Sequence, residues 1–272
     1  MIFCKILFHD FRCGLLRKRF LILPLFLFLP LANYYLAFHN RGIQVEFLDT
    51  VIYLFQGAPK VDLRFAAVPI PISWLYLIGI FLLYHLDYIY HDLSLCGQQI
   101  IIRCHSRRMW IYSKFFWNVL SSSVFYLLTI LCAWVFTKGM GGQTDWYVSS
   151  RAISLFSLEG VDQLANIKLL FAVFLIPALT LVALNLLQMT LILFLGPLTS
   201  FLLTSATVVL SIYSMSGYIL GGSAMAIRNL QIYIQRNSLS SRMMVPLGVI
   251  VLCVIVGSCK FSNMDILPKE DS

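Results

Sequence analysis

Four ionisable residues lie close together in the sequence and are the best candidates for chemistry in this chain: His85, Asp87, His91 and Asp92. Imidazoles and carboxylates bind metals and transfer protons, and ionisable side chains in membrane-length apolar segments usually mark functional sites. On a helix, Asp87 and His91 share one face and His85 and Asp92 share another. A metal site or proton relay would therefore be strained, and the alternative is a helix end among headgroup-level tyrosines.

The segment from Asp87 to Lys114 is polar and basic, and it separates two long apolar runs. Because Lys and Arg resist translocation, a basic loop between two spans is expected on the cytoplasmic side. Residues 100–112 mix Ile, Met, Trp and Tyr with Arg. That mixture is typical of a short helix that lies along a membrane face and contacts a partner.

Nucleotide-binding and hydrolase motifs are missing from the sequence. It contains no GxxxxGK[ST] phosphate loop, no GxGxxG motif that follows a strand and opens a helix, no GxSxG and no HExxH. If ATP drives this protein, the ATPase must be another chain. We therefore predict that this chain is not an enzyme and holds no catalytic residue, cofactor or metal. The alternative is a membrane-embedded enzyme or a non-transporting component that uses the His85–Asp92 cluster.

The composition is that of a polytopic membrane protein. Of 272 residues, 60% are hydrophobic and only 12% are charged, about half the charged fraction usual in soluble domains. The net charge of +8 fits basic cytoplasmic loops, so no nucleic-acid partner is expected. The seven Cys show no metal-ligand spacing and none lies in the presumed external loops, which favours reduced packing residues.

The apolar runs predict an all-α fold with six transmembrane helices in a single domain that spans residues 1–272. Apolar residues recur at helical spacing among the basic residues of 1–19, which predicts an amphipathic helix on the inner leaflet; an irregular basic leader is the alternative. Both termini are expected in the cytoplasm. The predicted spans are 20–38, 70–90, 115–136, 169–189, 195–213 and 243–259.

The loops between the spans differ in charge. Segments 39–69 and 137–167 are nearly balanced and are expected outside, where 47–57 predicts a short interfacial helix. Segment 214–242 is also outside by alternation, yet it has three Arg and no acid. Its Gly-rich apolar part, 216–227, favours a re-entrant segment that protein must surround. Alternatively, this segment is cytoplasmic and the span count is off by one.

Together these residues resemble the type-2 permeases of ATP-binding-cassette (ABC) exporters, especially the small six-span permeases of Gram-positive bacteria. The likeness covers most of the chain as a pattern of layout and scattered residues. It is found in Asp87-Tyr88, Asp92, Gly97-Gln98-Gln99, Arg103, Ser106-Arg107, Trp110, Ser113-Lys114, Gln188, Gly196-Pro197, the segment from Gly221 to Arg228, and Asp265-Ile266-Leu267.

This resemblance implies the partners and the location. Two permease domains pair, identical or not, in the bacterial plasma membrane among its lipids. Each sits on a separate ATP-binding-cassette ATPase subunit, which binds ATP and Mg. The N-terminal helix and the loop between spans two and three would contact that subunit, and a re-entrant helix pair would precede the last span. The expected cargo is a peptide, such as a bacteriocin or lantibiotic in immunity, or an amphipathic drug.

By position, the coupling element would fall on about residues 98–114. The Arg side chains would pair with acids around a groove of the ATPase, and Met109 and Trp110 would supply apolar contact. The alternative is that these Arg bind anionic lipid and set the topology. The residues of the predicted coupling loop are Gln98, Gln99, Arg103, Ser106, Arg107, Arg108, Trp110 and Lys114.

Overall fold

The computed structural model is helical throughout the part of the chain that it describes. Described are residues 7–8, 10–11, 19–39, 46–59, 70–86, 88–92, 107–144, 146, 148–149, 153–154, 156, 158, 160, 166–214, 219–234 and 240–263. The helices are α1 (Arg19–His39), α2 (Phe47–Leu54), α3 (Ile72–His85), α4 (Tyr88–Asp92), α5 (Arg107–Gly139), α6 (Asn166–Leu170), α7 (Ile176–Leu195), α8 (Pro197–Tyr213), α9 (Leu220–Ser223), α10 (Ala226–Ile234) and α11 (Ser240–Ser262).

Three helical stretches are long and apolar enough to cross a membrane: Arg108–Gly139, Ile167–Leu195 and Arg242–Ser262. Three shorter apolar stretches, Leu25–Leu36, Ile72–His85 and Pro197–Tyr213, coincide with the other predicted spans. The all-α and membrane predictions are thus confirmed. Large apolar side chains project outward from the bundle, which is unfavourable in water over so wide a surface and ordinary in lipid.

The central helix is α7, which is buried along most of its length and packs against α5, α8 and α11. Its polar side chains donate hydrogen bonds inside the bundle. The Asn185 amide donates to Ser122 Oγ at 2.8 Å and to the Asn118 carbonyl at 3.2 Å, and the Gln188 amide donates to the Leu82 carbonyl at 3.1 Å. These bonds fix α7 to α5 and α3, because a buried amide without a partner is costly.

A π-helical turn, Phe171–Leu175, joins α6 to α7 just before Pro177. Proline has no N–H, so it cannot donate to the carbonyl of Val173 four residues earlier. The Tyr126 hydroxyl donates instead, at 2.9 Å to the Phe174 carbonyl and 3.4 Å to that of Val173. Sequence reasoning treated this stretch as a regular span, and the irregular turn is explained by the proline and its tyrosine partner.

The predicted short helix in segment 47–57 is confirmed as α2, but it lies inside the bundle. Nearly all of its residues are buried, and it contacts α1, α3 and α5. Two hydrogen bonds connect α2 to the residues that follow α5. The Phe47 amide donates to the Gln143 carbonyl at 3.1 Å, and the Ser149 amide donates to Asp49 Oδ1 at 3.2 Å. Its placement at the outer membrane interface stays a prediction.

Two short buried helices, α9 and α10, lie between α8 and α11, and the re-entrant course of segment 214–242 stays a prediction. The first amides of α10 have no partner within the helix. The Ala226 amide donates to the Phe55 carbonyl at 2.7 Å, and that of Ile227 donates to the Gln56 carbonyl at 3.2 Å. Phe55 and Gln56, which directly follow α2, thus hold the start of α10 in place.

Candidate functional site

A buried cluster of charges, which we call the Lys114 junction (Asp10, Tyr88, Asp92, Trp110, Ser113 and Lys114), lies where the basic segment enters α5. Lys114 Nζ is 2.6 Å from Asp10 Oδ1 and 2.9 Å from Asp92 Oδ2, and its side chain has no exposed surface. The Ser113 hydroxyl donates to Asp10 Oδ2 at 2.9 Å. The junction therefore ties the N-terminal segment and α4 to the first turns of α5.

Two aromatic rings complete the surroundings of the ammonium group. Lys114 Nζ lies 5.2 Å from the centre of the Tyr88 ring and 5.1 Å from that of Trp110. The Trp110 indole also stacks on Phe261 near the end of α11, with ring centres 4.7 Å apart. Cation–π contacts strengthen when they are shielded from water. The same cluster thus attaches the C-terminal end of α11 to the start of α5.

A buried ion cluster of this kind resists the loss of any single member. Taking charges out of water is costly, and the cost is recovered only while the partners stay at hydrogen-bond distance. If the N-terminal segment moved away together with Asp10, Lys114 would keep only the carboxylate of Asp92 as its ionic partner. Displacement of one attached element therefore changes the charge balance around the others.

The structure separates the predicted coupling residues into two groups. Arg108 and Met109 are exposed on the first turn of α5. Trp110 and Lys114 are fully buried, so the expectation that the Trp110 side chain supplies apolar contact to a partner was wrong, because its ring packs against Phe261. Arg107 begins α5. The other four predicted residues, Gln98, Gln99, Arg103 and Ser106, lie outside the described residues.

The candidate polar cluster of span two is divided between different partners. The His85 ring is buried, with Nδ1 2.8 Å from the Phe81 carbonyl, and it lies against the rings of Phe81 and Phe125. Asp92 instead contacts Lys114. The side chains of Asp87 and His91 are not among those that the structure describes. Within the described part of the chain, no three His, Cys, Asp or Glu residues are grouped as metal ligands.

Sequence reasoning missed Asp10 as a member of the site. It is the one acid in a strongly basic N-terminal segment, and it is almost completely buried. Most of the predicted helix 1–19 lies outside the described residues, but Phe8 is exposed two residues before this buried carboxylate. A lone acid among basic residues is the signal that could have indicated a fixed ionic contact.

The fold and the junction define a helical membrane protein whose basic end is held together by buried ion pairs. The chain belongs to the family described as Protein of unknown function (DUF2705), whose model matches residues 21–267. No curated protein matches the chain significantly. No solved structure does so either.

Proposed function

We propose that this chain is the six-span transmembrane subunit of an ATP-binding-cassette exporter in the bacterial plasma membrane. It forms the substrate pathway with a second permease subunit and couples to a separate ATPase, and its cargo is a peptide or an amphipathic compound. The Lys114 junction is the observation that carries the proposal. It joins the two elements, the N-terminal segment and the start of α5, that the resemblance assigns to ATPase contact.

The exposed residues beside the junction supply the docking surface in this proposal. Arg108 and Met109 project from a turn whose neighbours Trp110 and Lys114 are fixed inside the bundle. A rigid base lowers the entropy that is lost on docking. Exposed ion pairs contribute only about 0–1 kcal/mol each, so the apolar contact of Met109 contributes more than Arg108 to affinity.

The test is a pull-down of the tagged chain from its native membrane in a mild detergent, with the bound ATPase quantified. The wild-type chain should retain a stoichiometric ATP-binding subunit. The double variant Arg108→Glu/Met109→Ala should lose about nine-tenths of it, since a loss of ~1.4 kcal/mol is tenfold in affinity. Lys138→Glu is the matched control, because Lys138 is an exposed base at the other end of α5.

Two outcomes would count against the proposal. A wild-type chain that purifies without any ATP-binding subunit would remove the ABC exporter assignment. Equal retention by the double variant and by Lys138→Glu would leave an exporter possible but would remove docking from the start of α5. Anionic lipid binding by the basic segment would then be the better account of its charge.

A further inference from the structure

Two arginines are buried side by side at the end of the bundle opposite to the Lys114 junction. The helix α11 connects the two ends of the bundle. Its C-terminal end carries Phe261, which stacks on Trp110 of the Lys114 junction, and its N-terminal end carries Arg242. About 20 residues of helix separate the two ends by ~30 Å. The exposed fractions of the side chains are 3% for Arg228 and 2% for Arg242.

Arg228 is satisfied by backbone carbonyls and caps the C-terminal end of α8. Its Nη1 donates to the carbonyl of Ser211 at 2.7 Å and to that of Ser214 at 3.0 Å, and its Nη2 donates to that of Ile212 at 2.7 Å. Its Nε donates to the Ala58 carbonyl at 2.7 Å. These carbonyls carry the negative end of the helix dipole, which accounts for one buried cation.

The described structure shows no comparable set of carbonyl acceptors for Arg242. Its Nη1 is buried without a hydrogen-bond partner, and no described carboxylate forms an ion pair with either arginine. Burial, and after it the charge of Arg242, lowers the pKa of Arg228 to about 10, so Arg228 still keeps its proton at neutral pH. Two neighbouring buried cations, with no ion-pairing acid among the described residues, leave a positive charge that a bound anion would neutralise.

The two guanidinium groups converge on one glycine. A Cβ at Gly222 would lie 3.2 Å from Arg242 Nη1 and 3.7 Å from Arg228 Nη1, with no other described side chain within 4 Å. The neighbouring Ser223 hydroxyl is buried without a partner, and so is Asn229 Oδ1, although the Asn229 amide donates to the Ser223 carbonyl at 2.9 Å. Unpartnered donors, an unpartnered acceptor and excess positive charge thus surround the same short turn.

We propose that Arg242 and the Ser223 hydroxyl bind a phosphate group at the Gly222 turn, where the charge of Arg228 adds attraction for an anion. A guanidinium group and a hydroxyl match the oxygens of a phosphate, and a protonated or hydrogen-bonded oxygen would use Asn229 Oδ1. The phosphate belongs to a membrane phospholipid or to free phosphate; the chemistry of recognition is the same. The proposal goes beyond the exporter assignment and does not depend on it, since it requires only that the chain fold in a membrane.

The test uses the full chain purified in an alkyl maltoside detergent without phosphate buffer. In the first arm, native mass spectrometry counts the phospholipids that each chain retains. In the second arm, the delipidated chain is titrated with sodium phosphate against sodium chloride at equal ionic strength, and thermal unfolding is followed. Retained phospholipid identifies a lipid source, whereas stabilisation by inorganic phosphate without retained lipid identifies free phosphate.

The variants assign the binding to this site. Arg242→Gln should lose the retained lipid or the phosphate-dependent stabilisation. Ser223→Ala should weaken binding about ten- to a hundredfold, because it removes one hydrogen bond to a charged group. It should fold normally, since the hydroxyl has no partner in the structure. Lys260→Gln, a basic residue at the opposite end of α11, should behave as wild type.

The proposal is overturned if neither arm detects binding to the wild-type chain. It is equally overturned if Arg242→Gln and Ser223→Ala both bind as wild type. Should Arg242→Gln fail to fold, Ser223→Ala decides alone: weaker binding supports the site, and unchanged binding removes it. These readouts are independent of ATPase retention, so the two proposals fail separately.

Discussion

At the scale of single residues, the Lys114 junction is expected to contribute strongly to stability, because its charges are buried and paired. Lys114→Met keeps much of the side-chain volume but leaves Asp10 and Asp92 buried without their cation. Breaking a buried ion cluster in this way should cost about 3–5 kcal/mol. Thermal unfolding in detergent measures the loss. Lys138→Met, at an exposed position of the same helix, should change stability by less than about 1 kcal/mol.

A rescue experiment separates lost charge balance from lost packing in that prediction. Adding Asp10→Asn to Lys114→Met removes one of the unpaired carboxylates and should recover part of the stability. If the double variant is no more stable than Lys114→Met alone, the lysine acts through packing, and the account of the junction as an ion cluster is wrong.

A second residue-scale prediction concerns Asp49 on α2. Burial raises the pKa of this carboxyl to about 6, although the hydrogen bonds from Ser149 oppose the shift. The folded state therefore binds the proton more tightly than the unfolded state, and the stability from this group is lost as pH rises from about 4 to about 6. At pH 7 the difference amounts to roughly 3 kcal/mol.

Asp49→Asn should remove that pH-dependent part while its side-chain oxygen still accepts from the Ser149 amide. Unfolding curves from pH 4.5 to 7.5 compare the variant with wild type. The variant should be the more stable chain at pH 7.5, and the difference should shrink toward pH 4.5. A constant difference between the two chains across this range would contradict the assignment.

Residue-scale contacts were the least predictable part of the site, for a physical reason. Asp10 and Lys114 are separated by 104 residues, and no periodicity relates two such positions. The sequence did single out Lys114 and Trp110 as important, but it could not distinguish a buried role from an exposed one. Both occur in a basic segment with aromatic residues, and burial there depends on Phe261, near the other end of the chain.

At the scale of elements, the contact between the residues that follow α2 and the short helices α9 and α10 depends on Gly57. Its φ of +64° is unfavourable for other residues, and a Cβ there would overlap the Met225 side chain. Gly57→Ala should therefore destabilise the chain by about 2 kcal/mol or more. Thermal unfolding checks this, and adding Met225→Gly, which removes the overlapping Cβ and Cγ of Met225, should relieve the overlap but not the backbone strain.

Gly79→Ala is the matched control. Gly79 lies within α3, and no other atom is within 4 Å of the position that its Cβ would take. Since alanine favours a helix by up to about 1 kcal/mol over glycine, this variant should be as stable as wild type or slightly more so. Equal effects of the two substitutions would show that the Gly57 contact does not hold α10.

The sequence was sufficient to predict a helix where the apolar pattern was long and continuous. Each predicted span overlaps helical structure, although 70–90 is divided between α3 and α4, because continuous apolar runs in lipid must satisfy their backbone within a helix. Irregular backbone was harder: the π turn before Pro177 depends on the Tyr126 hydroxyl of another helix. The burial of α2 likewise follows from neighbours distant in sequence, so its own pattern could not reveal it.

At the scale of the whole molecule, the helix α5 offers a test of topology. The stretch Arg108–Gly139 has 32 residues, which corresponds to about 48 Å of helix, more than the ~30 Å hydrocarbon core. Arg108 and Lys138, both exposed, therefore lie beyond the core on opposite sides. The basic segment before α5 predicts that Arg108 is cytoplasmic and Lys138 external.

Cysteine labelling of intact cells with a membrane-impermeant maleimide tests this arrangement. The native cysteines need not be removed, because the proposed six-span topology would place each of them within a span or in the cytoplasm. Wild type and Arg108→Cys should stay unlabelled until the cells are opened, whereas Lys138→Cys should be labelled at once. Labelling of Arg108→Cys alone would invert the topology and place the Arg228–Arg242 pair in the cytoplasm. Labelling of both variants in intact cells would mean that α5 does not cross the membrane, and the six-span exporter would fall with it.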